Sequence, residues 1–101
     1  MEVMHMRAEI DGATVRTVAD LHSALSRALD FGPYYGGNPA ALWDRLTTDV
    51  ERPVELVWSD SELSRAALGE TGFAKFRSLL LRVQEQDLAY GPAERFSVTF
   101  A

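Results

Sequence analysis

The chain has no cysteine among its 101 residues, so disulfides, thiolate metal sites and thiol nucleophiles are excluded, and a reducing, cytoplasmic location is expected. Long apolar runs are also missing, and none approaches the length of a membrane span. Met1-Glu2-Val3-Met4-His5 is too short and polar for a secretion signal, and the methionines at 1, 4 and 6 leave the native start open. Residues 1–5 therefore read as an N-terminal extension and 6–101 as a single domain. Basic residues are scarce, with 10 Lys and Arg against 15 Asp and Glu and a net charge of −5. Without clustered cations to neutralise phosphates, nucleic acid is not expected as a direct ligand; a basic partner suits the charge better. What is present is globular: a 47% hydrophobic and 25% charged chain of this length supports one modest core.

Alternation in Met6-Arg7-Ala8-Glu9-Ile10 followed by Asp11-Gly12 predicts a first strand ending near residue 10, with a hairpin to residues 13–16 left open. Thr17 and Asp20 have the spacing of a capping box. Val18, Leu21, Leu25, Ala28 and Leu29 then repeat at helical spacing, giving a helix over about 18 to 30 on which His22 reads as solvated. After residues 49–53 break the pattern, Val54-Glu55-Leu56-Val57-Trp58 reads as a buried second strand with Pro53 at its first position. Ser59 and Glu62 suggest a second capping box, opening a short helix through Leu63, Ala66 and Ala67 that stops by Gly69. A longer helix carries Phe73, Phe76, Leu79, Leu80 and Val83 as its core stripe, and after a connector over 88–92 the last strand alternates Phe96, Val98 and Phe100. Strands separated by helices point to parallel pairing and an α/β layer structure.

The candidate functional stretch is 32–44, an aromatic, glycine-rich loop running into an abrupt helix start. Asn38 is a suitable N-cap, and Pro39 suits the first helical position because its φ is already helical and no backbone donor is needed there. From that start, Leu42 and Leu46 share one face, and Ala40, Asp44, Thr47 and Thr48 lie on the other. No Lys or Arg on this helix stands three or four residues from Asp44, so its charge is uncommitted locally. The Tyr34-Tyr35 pair fits either a lid on the core or a binding surface, and Trp43 either a core rim or a contact. An enzyme would need a base, nucleophile or metal ligand beside Asp44; Asp49 and Glu51 read only as solvated loop carboxylates, so no catalytic residue, metal or cofactor is assigned. Gly36-Gly37-Asn38 at a helix start could bind phosphate, but the loop has neither a cation nor the G-x-G-x-x-G pattern.

Tyr34-Tyr35-Gly36-Gly37-Asn38 followed by Ala41-Leu42-Trp43-Asp44-Arg45-Leu46-Thr47, with Asp20-Leu21-His22 and the run from Pro53 to Trp58, resembles the barstar family. These are small intracellular protein inhibitors of secreted guanyl-specific microbial ribonucleases. The resemblance covers nearly the whole chain. It implies a three-stranded parallel sheet packed with about four helices, and a 1:1 complex in which loop and helix plug the ribonuclease active site. In that complex the carboxylate matching Asp44 takes the place of a substrate phosphate, Tyr34 covers the catalytic region, and Gly36, Asn38, Trp43 and Thr47 are contacts around it. The chain departs from the family pattern at Ala40 and Arg82, which stand where acidic contact residues are usual, and at Gln86, a further acidic position. Both Ala40 and Arg82 remain contact positions, and Arg82 is able to meet an acidic residue on a partner with a less basic site. The alternative is a regulatory interaction module of the same fold whose partner is not a ribonuclease.

Overall fold

The computed structural model describes residues 6–101, so the expected extension at 1–5 lies outside the described residues. Strand β2, Val54–Ser59, is the middle of a three-stranded sheet, with β1, Met6–Asp11, on one side and β3, Phe96–Phe100, on the other. Both pairings are parallel, in registers that run from Met6↔Val54 to Asp11↔Ser59 and from Val54↔Phe96 to Trp58↔Phe100. The position of β2 follows from its composition: Val54, Leu56, Val57 and Trp58 are all buried, as a strand covered on both faces requires. Pro53 precedes this strand rather than opening it, which leaves the ladder donors of β2 intact. The outer strands alternate, burying Ala8 and Ile10 in β1 and Phe96 and Val98 in β3.

Four α-helices connect and cover the sheet: α1, Val18–Leu29; α2, Pro39–Asp44; α3, Ser61–Leu68; and α4, Glu70–Asp87. The Thr17–Asp20 capping box opens α1, whose Leu21, Ala24, Leu25 and Leu29 enter the core. Helix α4 buries Phe73, Phe76, Leu80 and Val83 and also closes the sheet edge. Its Asp87 and Gln84 side chains accept hydrogen bonds from the Phe96 and Val98 amides, at 2.8 and 2.9 Å, so these outward donors of β3 are satisfied without a fourth strand. Among the described residues no helix is long and apolar enough to cross a membrane.

One possibility left open and one expectation are decided by the packing. No hairpin follows β1: residues 12–14 form a 3₁₀ turn, and Gly12 packs so closely beneath the backbone of Ser59 and Asp60 that a Cβ there would strike their carbonyl oxygens. The Ser59–Glu62 capping box does not form, because Ser59 still belongs to β2 and its hydroxyl donates to the Ile10 carbonyl at 3.1 Å. Asp60, in a left-handed conformation, precedes the helix instead, and Glu62 pairs with Arg65 at 3.0 Å. Helix α3 consequently turns Ser61 and Ser64 inward and leaves Leu63 55% exposed, with Ala66 and Ala67 also outside. Ser64 is fully buried; its hydroxyl accepts from Trp58 Nε1 at 3.0 Å and donates to the Gly12 carbonyl at 2.8 Å.

Candidate functional site

The loop over 31–38 and helix α2 form one exposed corner of the molecule. Gly37, with φ +66°, turns the chain in the left-handed region just before the cap. Asn38 Oδ1 then accepts from the Ala41 amide at 2.8 Å, and Pro39 occupies the first turn. Leu42 and Leu46 are completely buried and anchor the helix from below. On the opposite face Ala40 and Asp44 are exposed, and Thr47 is half-buried. Among the described residues no hydrogen bond or ion pair engages the Asp44 carboxylate; its neighbour Arg45 instead pairs with Asp49 at 3.4 Å.

The end of α2 has a feature that its sequence pattern does not announce. Residues Arg45–Asp49 continue the helix as a wider π turn, closed by the Val50 amide on the Arg45 carbonyl at 3.1 Å. The Thr47 hydroxyl donates to the Trp43 carbonyl at 2.7 Å, and the Thr48 hydroxyl donates to the Asp44 carbonyl. These back-bonds tether the main chain beneath Asp44, so the backbone bearing its carboxylate is held on both sides.

The tyrosine pair divides between its two possible roles. Tyr34 is 89% exposed, whereas Tyr35 is half-buried with its ring 4.8 Å from that of Phe31. The Tyr35 hydroxyl lies 2.6 Å from His22 Nδ1, and the His22 ring meets Phe76 edge-on at 5.3 Å. His22 is therefore not the solvated residue expected; it is 5% exposed and fastens the loop over 31–38 to α1. Its spacing with Leu25 and Leu29 on the same helical stripe was the available signal. Burial lowers the His22 pKa, because charging the ring would place a cation where it is largely stripped of water, and Nε2 is enclosed with no partner among the described residues. Burial pushes the Tyr35 phenol up to about 12, partly opposed by the positive charge of Arg45.

Trp43 is half-buried, packing against the core on one side and meeting Arg82 of α4 on the other, where the guanidinium lies 5.5 Å from the ring centre. This stack brings Arg82 to the same corner as Asp44. Thr47 and Gln86 border an adjoining depression of about 280 Å3 that Arg52, Asp87, Tyr90 and Glu94 also line. Gly36 and Asn38 stand exposed at the other end, beside Tyr34. The fold thus draws Tyr34, Gly36, Asn38, Ala40, Trp43, Asp44 and Thr47 from one continuous stretch and adds Arg82 from a helix distant in sequence.

A family model described as "Barstar (barnase inhibitor)" matches residues 5–100 of the chain. A Bacillus subtilis (strain 168) protein carrying the name "Putative ribonuclease inhibitor YrdF" is 45% identical over 60 residues, which cover 59% of this chain and 66% of that protein. The match thus spans slightly less than two thirds of the relative's length.

Proposed function

The chain belongs to the barstar family, and from that premise we propose that it inhibits a secreted guanyl-specific microbial ribonuclease by occupying its active site in a 1:1 complex. The exposed Asp44 carboxylate, unpaired among the described residues and held on a capped, back-bonded helix, carries the proposal. A ribonuclease cleft presents cationic groups to the phosphates of its substrate, and a carboxylate accepts charge-assisted hydrogen bonds from a guanidinium fork much as phosphate does. Tyr34 lies over the catalytic region in this arrangement, while Gly36, Asn38, Ala40, Trp43, Thr47 and Arg82 form the surrounding contact. The chain performs no reaction itself; it protects RNA in the cytoplasm of the cell that makes it, without touching nucleic acid or membrane.

The test is a titration of the purified chain into barnase and other guanyl-specific ribonucleases while RNA cleavage is followed. Activity of a cognate enzyme should fall to zero at one equivalent, and association should slow with added salt because opposite charges steer the encounter. A folded chain that leaves every enzyme of the panel active would select a second reading, in which the same face serves a partner that is not a ribonuclease. The exposed Ala40 and the cation at Arg82 are the observations that favour this alternative.

A further inference from the structure

Arg82 has a carboxylate within reach of its own helix, since Glu85 stands three residues on, at a spacing that commonly forms ion pairs. The pair does not form, and among the described residues Arg82 joins no acidic side chain. Its guanidinium instead crosses from α4 to lie over Trp43, the residue next to Asp44. A cation held against an aromatic face is oriented by the ring quadrupole, while its N–H fork remains available for an acceptor elsewhere. Arg82 is exposed, so such an acceptor can approach from outside the molecule. Of the residues at this corner proposed as contacts, only Asp44 and Arg82 carry charge. The face is therefore bipolar, although the chain as a whole has a net charge of −5.

We propose that Arg82 is the specificity-determining cation of this face: it pairs with a carboxylate on the rim of the ribonuclease. The chain thereby selects enzymes that set an acidic side chain beside the cationic cleft taken by Asp44. It rejects enzymes that place Arg or Lys there, since like charges brought together at an interface oppose binding and an attractive pair favours it. This inference rests on the inhibitor reading and adds to it the chemistry of the partner.

The experiment measures inhibition constants of the wild type and of the Arg82→Gln, Arg82→Glu, Arg82→Lys and Asp44→Ala variants against a panel of guanyl-specific ribonucleases that includes barnase. Thermal unfolding of each variant confirms that it folds. For the enzymes that the wild type inhibits best, Arg82→Gln should weaken inhibition about 10-fold and Arg82→Glu about 100-fold, with Arg82→Lys retaining most of the affinity. Enzymes inhibited poorly by the wild type should be inhibited better by Arg82→Glu, so that the rank order of the panel changes. Equal losses on every enzyme, or no change on any, would overturn the proposal. If Asp44→Ala abolishes inhibition while the Arg82 variants remain silent, only this inference falls; if the wild type inhibits nothing, it falls together with the inhibitor reading.

Discussion

Asp87 and Asp44 each end a helix of the same domain, and the fold treats them in opposite ways. Asp87 is 3% exposed; its carboxylate takes the Arg52 Nε–H at 3.0 Å and the Phe96 amide at 2.8 Å, and Arg52 in turn donates to the Val50 carbonyl at 2.7 Å. The charge is consumed in closing the sheet edge and fixing the chain that enters β2. Asp44 stands in solvent with neither a cation nor an amide on its carboxylate among the described residues. A buried charge must find its partners inside the molecule, because stripping its water is otherwise prohibitive. An exposed charge retains its water until something else displaces it. The contrast separates a carboxylate that holds the fold from one whose charge the fold leaves unused.

The largest effect expected is from Asp87→Ala, which leaves Arg52 without its counter-ion and the Phe96 amide without an acceptor. Removing one member of a buried pair should cost about 3 kcal/mol of stability, read from urea unfolding. A loss below about 1 kcal/mol would erase the distinction between the two carboxylates. Asp44→Ala should behave in the opposite sense, changing stability by less than about 0.5 kcal/mol. It should weaken ribonuclease binding by about 2 kcal/mol or more, measurable by calorimetry. A Asp44→Ala protein that binds as the wild type does would remove the basis of the inhibitor reading.

Ser64→Ala sharpens the comparison from the buried side. It strands the Trp58 indole N–H and leaves the Gly12 carbonyl with the Val15 amide as its remaining donor, and should lower stability by about 1.5 kcal/mol without altering the corner around Asp44. Chemical denaturation and a binding assay on the same preparation check both halves of that expectation.

The smallest effect concerns His22, which belongs to the interior yet secures the loop bearing Tyr34. The unfolded chain protonates this ring near its ordinary pKa of 6.5, whereas burial lowers the folded value. Above pH 6.5 the ring is neutral in both states and its stabilising contribution is fully present. As pH falls from there toward the folded pKa, the unfolded state gains the proton first and stability is lost. Unfolding midpoints of wild type and His22→Gln across that interval should diverge, with the variant showing the flatter profile; parallel profiles would contradict the assignment.

Much of this architecture was legible in the residues themselves. Near-continuous apolar character marked Val54 to Trp58 as a buried strand, Thr17 with Asp20 marked the start of α1, and Asn38-Pro39 marked that of α2. These signals are local: a cap bonds to an amide a few residues away, and burial on two faces dictates composition along a single strand. Helix α3 lies where its pattern places it, but its inward face was not legible, because the surface against which it docks, the Gly12 turn and the Trp58 indole, takes the small hydroxyl residue Ser64.

The sequence alone determined the order and kind of the main elements, the rigid start of α2, and the lack of a local partner for Asp44, all set within a few residues of chain. Only the tertiary structure decided that His22 fastens the loop through Tyr35, that Asp87 is enclosed by Arg52 and β3, and that Arg82 shares a corner with Trp43. The reason is distance along the chain: these contacts join residues 9 to 39 positions apart and on different elements, so they exist only after the helices have packed on the sheet.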